Sequence, residues 1–260
     1  MTEKQRFGGI ARLYGQEPLN ALANSHFCVI GIGGVGSWSA EALTRTGVGT
    51  LTLIDLDDIC TTNVNRQIHA LNSTIGEAKV EVMAQRIRQI NPDINVNAVE
   101  DFVTAENVSS LIDSRFDVVI DATDSIKAKA AIIAHCKRNK IAIITVGGAG
   151  GQIDPRLITT GDLAKTIQDP LSAKLRSELR RFYNFSKNTK RRFGVECVYS
   201  TEQLRYPQPD GSVAGNKNTM DGSTRLDCSS GFGACTMVTS TFGMVAAARA
   251  VDKFLHKQAS

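Results

Sequence analysis

Short apolar runs that stop at glycine or aspartate alternate with stretches whose apolar residues recur every three to four positions, and this alternation organises the first half of the chain. The run from His26 to Gly31 reads as a strand, and Val35, Trp38 and Ala42 between Gly34 and Thr44 read as a helix. A second strand, TLTLID, ends at Asp55, so strand, glycine turn, helix and strand follow in about thirty residues. After Gly76, the residues Val80, Met83, Ala84, Ile87 and Ile90 share one helical face that Pro92 stops. The strand INVNAVE follows, then a helix capped by Thr104, then FDVVIDA, whose unbroken apolar centre suits a parallel strand covered on both faces. Ser125 is placed to cap the next helix, and IAIITV is the next strand. The alternation through residue 146 predicts an α/β chain: a Rossmann-like, mostly parallel sheet with helices on both faces.

After GGAGGQIDP the period changes, predicting a C-terminal α+β elaboration on the same unit. A helix is expected over Leu171 to Phe182, strands at VECVYS and EQLRYP, a mobile loop over 207–223 and a final helix over about 233–255. The 260 residues thus read as one domain, with a nucleotide-binding core at 1–150 and the elaboration at 151–260. A composition of 42% hydrophobic and 22% charged residues adds only that the chain is an ordinary globular one. The six cysteines include no CxxC pair, which suits reduced thiols in the cytoplasm, and the N-terminus lacks the apolar region of a signal peptide. Ser229 to Ala248 is uncharged for twenty residues, but it is rich in Ser, Thr and Gly. A buried core helix is the expectation there, with peripheral membrane contact as the alternative.

Charge changes the picture more. Lys174, Arg176, Arg180, Arg181, Lys187, Lys190, Arg191 and Arg192 stand against Glu178 alone, so 174–192 carries +7 within a chain whose net charge is +4. A solvated helix and a site for nucleic-acid phosphates both explain such a run, and the interleaved Phe182, Tyr183 and Phe185 could stack on unpaired bases.

The candidate chemistry begins at VIGIGGVGS. Gly31, Gly33 and Gly36 match GxGxxG between strand and helix, and Asp55 follows Gly36 by nineteen residues, where a ribose hydroxyl would be bound. This loop alone serves NAD as well as ATP. The cations downstream favour ATP: DLDDICTTNVNRQ brings Asp55, Asp57, Asn63, Asn65, Arg66 and Gln67 past the second strand, and Lys79 opens the next helix against its macrodipole. Such a lysine calls for an anion nearby. DATD, Asp121 to Asp124, closes a central strand, and one carboxylate there could hold the Mg²⁺ that accompanies ATP, Asp124 before Asp121.

GxGGxG (with Gly34 the added glycine), DLDD, TNVNRQ, GEAK and DATDS, in this order, resemble the ubiquitin-activating E1-like superfamily of adenylating enzymes. The resemblance implies that Asp55 binds ribose, that Asn63, Arg66 and Lys79 contact phosphates, and that Asp124 holds Mg²⁺. It further implies a homodimer in which Arg12, or failing that Arg6, reaches the partner's ATP. GGAGGQIDP, DLAKTIQDPL, the basic segment, VECVYSTE and DCSSGFGACTMVT resemble a tRNA-modifying branch of that superfamily over essentially the whole chain. That branch adenylates the carboxylate of a modified adenosine beside the anticodon and closes it into a ring with loss of water. The likeness turns the basic segment toward tRNA and leaves a sulfur-transfer partner of the cysteine desulfurase kind open. Activation of the C-terminus of a sulfur-carrier or ubiquitin-like protein is the nearest alternative, although paired CxxC motifs are missing; an NAD-dependent oxidoreductase and a non-catalytic tRNA scaffold are the others. None of Cys197, Cys228 and Cys235 stands in a thioester context.

Overall fold

The computed structural model describes residues 3–215 and 232–259. It opens on two helices that hydrophobic periodicity did not announce, α1 (Glu3–Tyr14) and α2 (Gln16–Ala23). Their buried apolar anchors are few, Phe7 on the first and Leu19 and Leu22 on the second, too sparse to mark a period. The expected alternation then follows: β1 (His26–Ile30), α3 (Gly36–Thr46), β2 (Thr50–Ile54), α4 (Lys79–Ile90), β3 (Asn95–Val99), α5 (Val108–Leu111), β4 (Val118–Asp121), α6 (Ile126–Arg138) and β5 (Ala142–Val146). The elaboration adds β6 (Ile158–Asp162), α7 (Pro170–Phe182), β7 (Glu196–Ser200), β8 (Tyr206–Pro207), β9 (Val213–Ala214) and α8 (Thr236–Gln258).

Seven strands form one sheet in the order β3-β2-β1-β4-β5-β7-β6, parallel except where β6 runs antiparallel to β7 at the edge. One apolar core lies between the sheet and α3, α4 and α8, and a second between the sheet and α5, α6 and α7. Helices on both faces explain why the central strands are apolar at nearly every position. α8 buries Val238, Phe242, Ala246, Ala250 and Phe254 on one stripe, so the uncharged stretch, whose residues 236–248 lie in this helix, faces the core along that stripe. Among the described residues no helix is long and apolar enough to cross a membrane.

Three local expectations are corrected. Thr104 caps a turn rather than a helix: its hydroxyl accepts from the N–H groups of Glu106 and Asn107 at 3.2 and 3.3 Å, and α5 is a single turn further on. EQLRYP is not a strand before Tyr206, because its polar groups bond to a loop instead of a ladder. The Glu202 carboxylate accepts from Asp154 N at 2.9 Å, and Arg205 N donates to Gly151 O at 2.8 Å. The segment expected to be a mobile loop starts as the β8–β9 hairpin, and its remainder, 216–223, lies outside the described residues, as does Cys228. The strand β6 went unforeseen because every position of ITTGD is half-buried, leaving no alternation to read.

Candidate active site

The carboxyl ends of β1, β2 and β4 finish in register, with Ile30 opposite both Ile54 and Asp121. The glycine loop, the segment from Asp55 and the DATD loop therefore leave the sheet side by side, in the crevice where open α/β sheets bind ligands. The turn itself demands glycine twice. Gly31 has φ +85°, and a Cβ on Gly36 would lie 1.8 Å from Gly31 O. The loop thereby folds back on itself and presents the free N–H groups at the start of α3 to the crevice, an arrangement suited to phosphate.

Ile32 is clamped at both of its peptide groups. Its N–H donates to Asp55 Oδ2 at 2.6 Å, and its carbonyl accepts from His69 Nε2 at 2.9 Å. Asp55 Oδ1 accepts from Asp57 N at 2.9 Å, and burial pushes this carboxyl above the ordinary aspartate range, a push that the Lys79 charge opposes. His69 escaped sequence reasoning, since a lone histidine two residues past Gln67 has no motif of its own. Burial lowers its pKa to about 4, so the imidazole is neutral at physiological pH with its proton on Nε2.

Lys79 is the first residue of α4, and the anion its position calls for is Asp57: Nζ lies 2.7 Å from Asp57 Oδ2. The lysine side chain is 7% exposed and the aspartate 55%, so the cation approaches the crevice from beneath an accessible carboxylate. Asn63 is buried in a tight turn and accepts from Cys60 N at 3.0 Å. Arg66 Cγ comes within 3.1 Å of where a Gly34 Cβ would stand, while its guanidinium donates to Thr62 O at 2.9 Å. Gln67 is buried with its amide oxygen unpartnered within the protein, and its Nε2 is 3.8 Å from the corresponding point at Gly33. The start of α8 braces this segment, with Thr236 Oγ1 donating to Asn65 O at 2.6 Å and Asn65 Nδ2 to Ala234 O at 2.9 Å.

The two aspartates of DATD separate cleanly. Asp121 is fully buried, takes hydrogen bonds from the Thr145 and Thr123 hydroxyls at 2.7 and 2.8 Å, and faces Lys129 Nζ at 3.0 Å. That carboxylate is enclosed and closed to a metal. Asp124, by contrast, is exposed at the crevice rim. Lys129, itself fully buried, also donates to Thr123 O at 2.9 Å and so ties down the loop that carries Asp124. Of the two arginines weighed on α1, Arg6 donates to Ile90 O at 2.6 Å at the end of α4, whereas Arg12 is exposed.

The model of the ThiF family matches residues 8–259. The chain is 59% identical to the tRNA threonylcarbamoyladenosine dehydratase of Escherichia coli over 98% of its length and 96% of the relative's. With that of Haemophilus influenzae it shares 54%, over 98% and 95%. It also superimposes on the E. coli enzyme solved in complex with ATP, with a TM-score of 0.88 over 98% of this chain and 96% of that one, at 55% identity. The chain belongs to the ThiF family. Within that family it falls with the tRNA threonylcarbamoyladenosine dehydratases over nearly its full length.

This ThiF-family chain divides its basic segment by role. Lys174, Arg181, Lys187, Lys190, Arg191 and Arg192 are exposed. Arg176 is half-buried, bonded to Thr166 Oγ1, and burial lowers its pKa. Arg180 donates to Ser186 O at 3.3 Å and lies 5.2 Å over the Phe193 ring. These two guanidiniums serve the fold, which argues against phosphate contacts for them. The aromatics divide similarly: Phe185 packs edge-on against Phe193 at 4.9 Å and Tyr183 joins the second core, leaving Phe182 as the exposed ring, 58% accessible. Cys197 is buried on β7 with its thiol pushed up to about 12, Cys235 is half-buried and Cys60 is the exposed thiol among the described residues. Nor do the described residues hold a group of three or more His, Cys, Asp or Glu placed for a metal ion.

Proposed function

We propose that this protein dehydrates N6-threonylcarbamoyladenosine in tRNA at the expense of ATP, through an acyl adenylate of the threonyl carboxylate. The observation that carries the reading is likeness over nearly the whole chain to enzymes of that activity, joined to a glycine loop ringed by Asp55, Arg66 and Lys79. A carboxylate resists attack because its leaving oxygen is a full anion. Attack of a carboxylate oxygen on the α-phosphorus of ATP breaks the bond to the β-phosphate, releases pyrophosphate and leaves an acyl adenylate whose leaving group is AMP. The loop N–H groups and the start of α3 bind the phosphates, Lys79 and Arg66 stabilise charge developing on them, and Asp55 orients the ribose from its anchorage on Ile32. Asn63, Gln67 and Asp57 line the same crevice; Asp57 holds Lys79 in place until phosphate shares it.

Mg²⁺ takes one or two carboxylates together with phosphate oxygens and water, and the exposed Asp124 fits that demand. When bound, the ion supplies Lewis-acid stabilisation of the transferring phosphoryl group. The carbamoyl oxygen or nitrogen then attacks the activated carbon, a five-membered ring closes, AMP departs, and the net loss is one water. Intramolecular closure reaches effective molarities of about 10⁵ M or more. No enzyme nucleophile is required, in keeping with the buried, weakly acidic Cys197.

We further infer a homodimer in which Arg12 of one protomer reaches the nucleotide bound to its partner. The exposed cations of 174–192 hold the tRNA backbone, and residues 1–150 and 151–260 act as one unit. A sulfur-transfer partner would have to address Cys60 among the described thiols, or the half-buried Cys235. Mass spectrometry of nucleosides from modified tRNA incubated with protein and ATP tests the reading. Loss of one water from the modified adenosine, abolished in Lys79→Ala and Asp124→Ala with unchanged thermal stability, is the expected result. An unchanged nucleoside with the parent protein would overturn it.

A further inference from the structure

A cavity of about 320 Å³ opens between the start of α7 and the segment leading into β8, lined by Gln168, Asp169, Arg176, Gln203, Leu204 and Tyr206. Its position is set by Asp169. That side chain caps α7 through Ser172 N at 3.1 Å and also accepts from Gly148 N at 3.2 Å, in the loop after β5. β5 lies two strands, about 10 Å, from β1 in the sheet, and the loop that follows it touches the cavity wall through Asp169. On its other side, α7 carries the exposed Lys174 and Arg181. The cavity therefore stands between the cationic ridge and the nucleotide crevice, and no role assigned so far uses it.

We propose that this cavity receives the base of the target nucleoside, an adenine ring whose N6 arm points toward the bound ATP. The inference rests on the functional reading above and adds where the substrate sits. The wall chemistry suits an uncharged heterocycle rather than a phosphate. Arg176 is committed to Thr166 and Leu163 O, and Asp169 to its cap, so the two charged linings are held by the protein itself. The uncharged lining is Leu204 and Tyr206, whose ring is backed by Phe232 at 5.2 Å, together with the amides of Gln168 and Gln203, the latter donating one N–H to Gly215 O at 3.4 Å; aromatic and amide groups of this kind read unpaired bases. Gln168 holds φ +53°, a left-handed conformation uncommon away from glycine, and such strain gathers where a site is shaped.

The reach fits as well. From N6 to the carboxylate carbon of a threonylcarbamoyl group are four bonds, about 5 Å. A base in the cavity can therefore extend its carboxylate about 5 Å toward the crevice that holds the glycine loop. A base in an anticodon loop is unpaired, so it enters at small cost.

Two variants test this. Ala173→Trp fills the cavity from α7, and Tyr206→Ala removes its aromatic wall without adding bulk. For each, kcat/KM with modified tRNA is expected to fall tenfold or more, while the ATP-induced thermal shift and the affinity for tRNA abasic at the target position stay within about twofold of the parent. Should Ala173→Trp fail to fold, Tyr206→Ala decides alone. An active parent whose variants keep kcat/KM within twofold overturns the base pocket and leaves the function intact. Equal losses of affinity for the abasic tRNA also overturn it, because the cavity would then hold backbone. A parent that leaves the modified nucleoside unchanged overturns both the function and the pocket.

Discussion

Lys129 and Asp121 form an ion pair with neither side chain exposed, 3.0 Å apart at the end of β4, and Lys129→Met tests what it does. The methionine fills most of the lysine's volume, so packing is nearly conserved and the charge is the main loss. What remains is a carboxylate sealed from water, still bonded to the Thr123 and Thr145 hydroxyls but without its cation. Breaking a buried pair from one side costs about 3–5 kcal/mol, because the surviving charge keeps its desolvation penalty. In a chain of this size that lowers Tm by about 10 °C. The lysine also ties down Thr123 O, so turnover is expected to fall further than stability alone explains, through loosening of the loop that carries Asp124. Urea unfolding and nucleoside mass spectrometry on Lys129→Met and on Lys129→Met with Asp121→Asn separate the effects. The double variant has no stranded charge and is expected to regain about half of the lost stability while turnover stays low. A single variant within about 1 kcal/mol of the parent, or a double variant no more stable than the single, refutes this account of the pair.

Three further outcomes follow from the site. His69 has a folded pKa of about 4, below its unfolded value, so its contribution to stability is complete above about pH 6.5 and is lost as pH falls toward 4. His69→Gln, which keeps a donor near Ile32 O, should flatten this acid limb by up to about 3 kcal/mol in urea titrations and leave the KM for ATP near the parent's, whereas His69→Asn should raise that KM. Gly36→Ala must displace Gly31 O, at about 1–3 kcal/mol, and isothermal titration should show ATP affinity lost with tRNA affinity retained. Reversing Lys187, Lys190, Arg191 and Arg192 to Glu should flatten the salt dependence of tRNA binding by about 0.7–0.9 in slope for each phosphate contact removed. Arg180→Glu should instead lower Tm, since its guanidinium stacks on Phe193.

The turn and strand-end features of the candidate site were legible in the sequence, because each is set by a few neighbouring residues. A glycine with φ +85° and another on which a Cβ would lie 1.8 Å from a carbonyl oxygen leave a one-dimensional mark, and so do an aspartate at a strand end and a lysine at a helix start. The alternating periods of β1 to β5 and α3 to α6 are local in the same sense, since each face must be apolar wherever it meets the sheet. What escaped were partners far apart in the chain. Asp57 over Lys79, His69 on the Ile32 carbonyl, Lys129 on Asp121 and Glu202 on the 153–154 backbone are contacts that folding alone creates.

The division in the basic segment has the same origin. Its eight cations are equivalent as a string, and helix packing decides that Arg176 and Arg180 turn inward while Lys187, Lys190, Arg191 and Arg192 face water. By itself, then, the sequence determined the sheet, the glycine turn and the kinds of groups near a nucleotide, for backbone sterics and hydrophobic period act over a few residues. The tertiary structure added how enclosed each candidate is, with Asp121 sealed against Lys129 and Asp124 exposed, and Arg6 bonded to Ile90 O and Arg12 exposed; it alone placed a cavity at the start of α7. Burial and long-range pairing depend on what the rest of the chain places against each side chain.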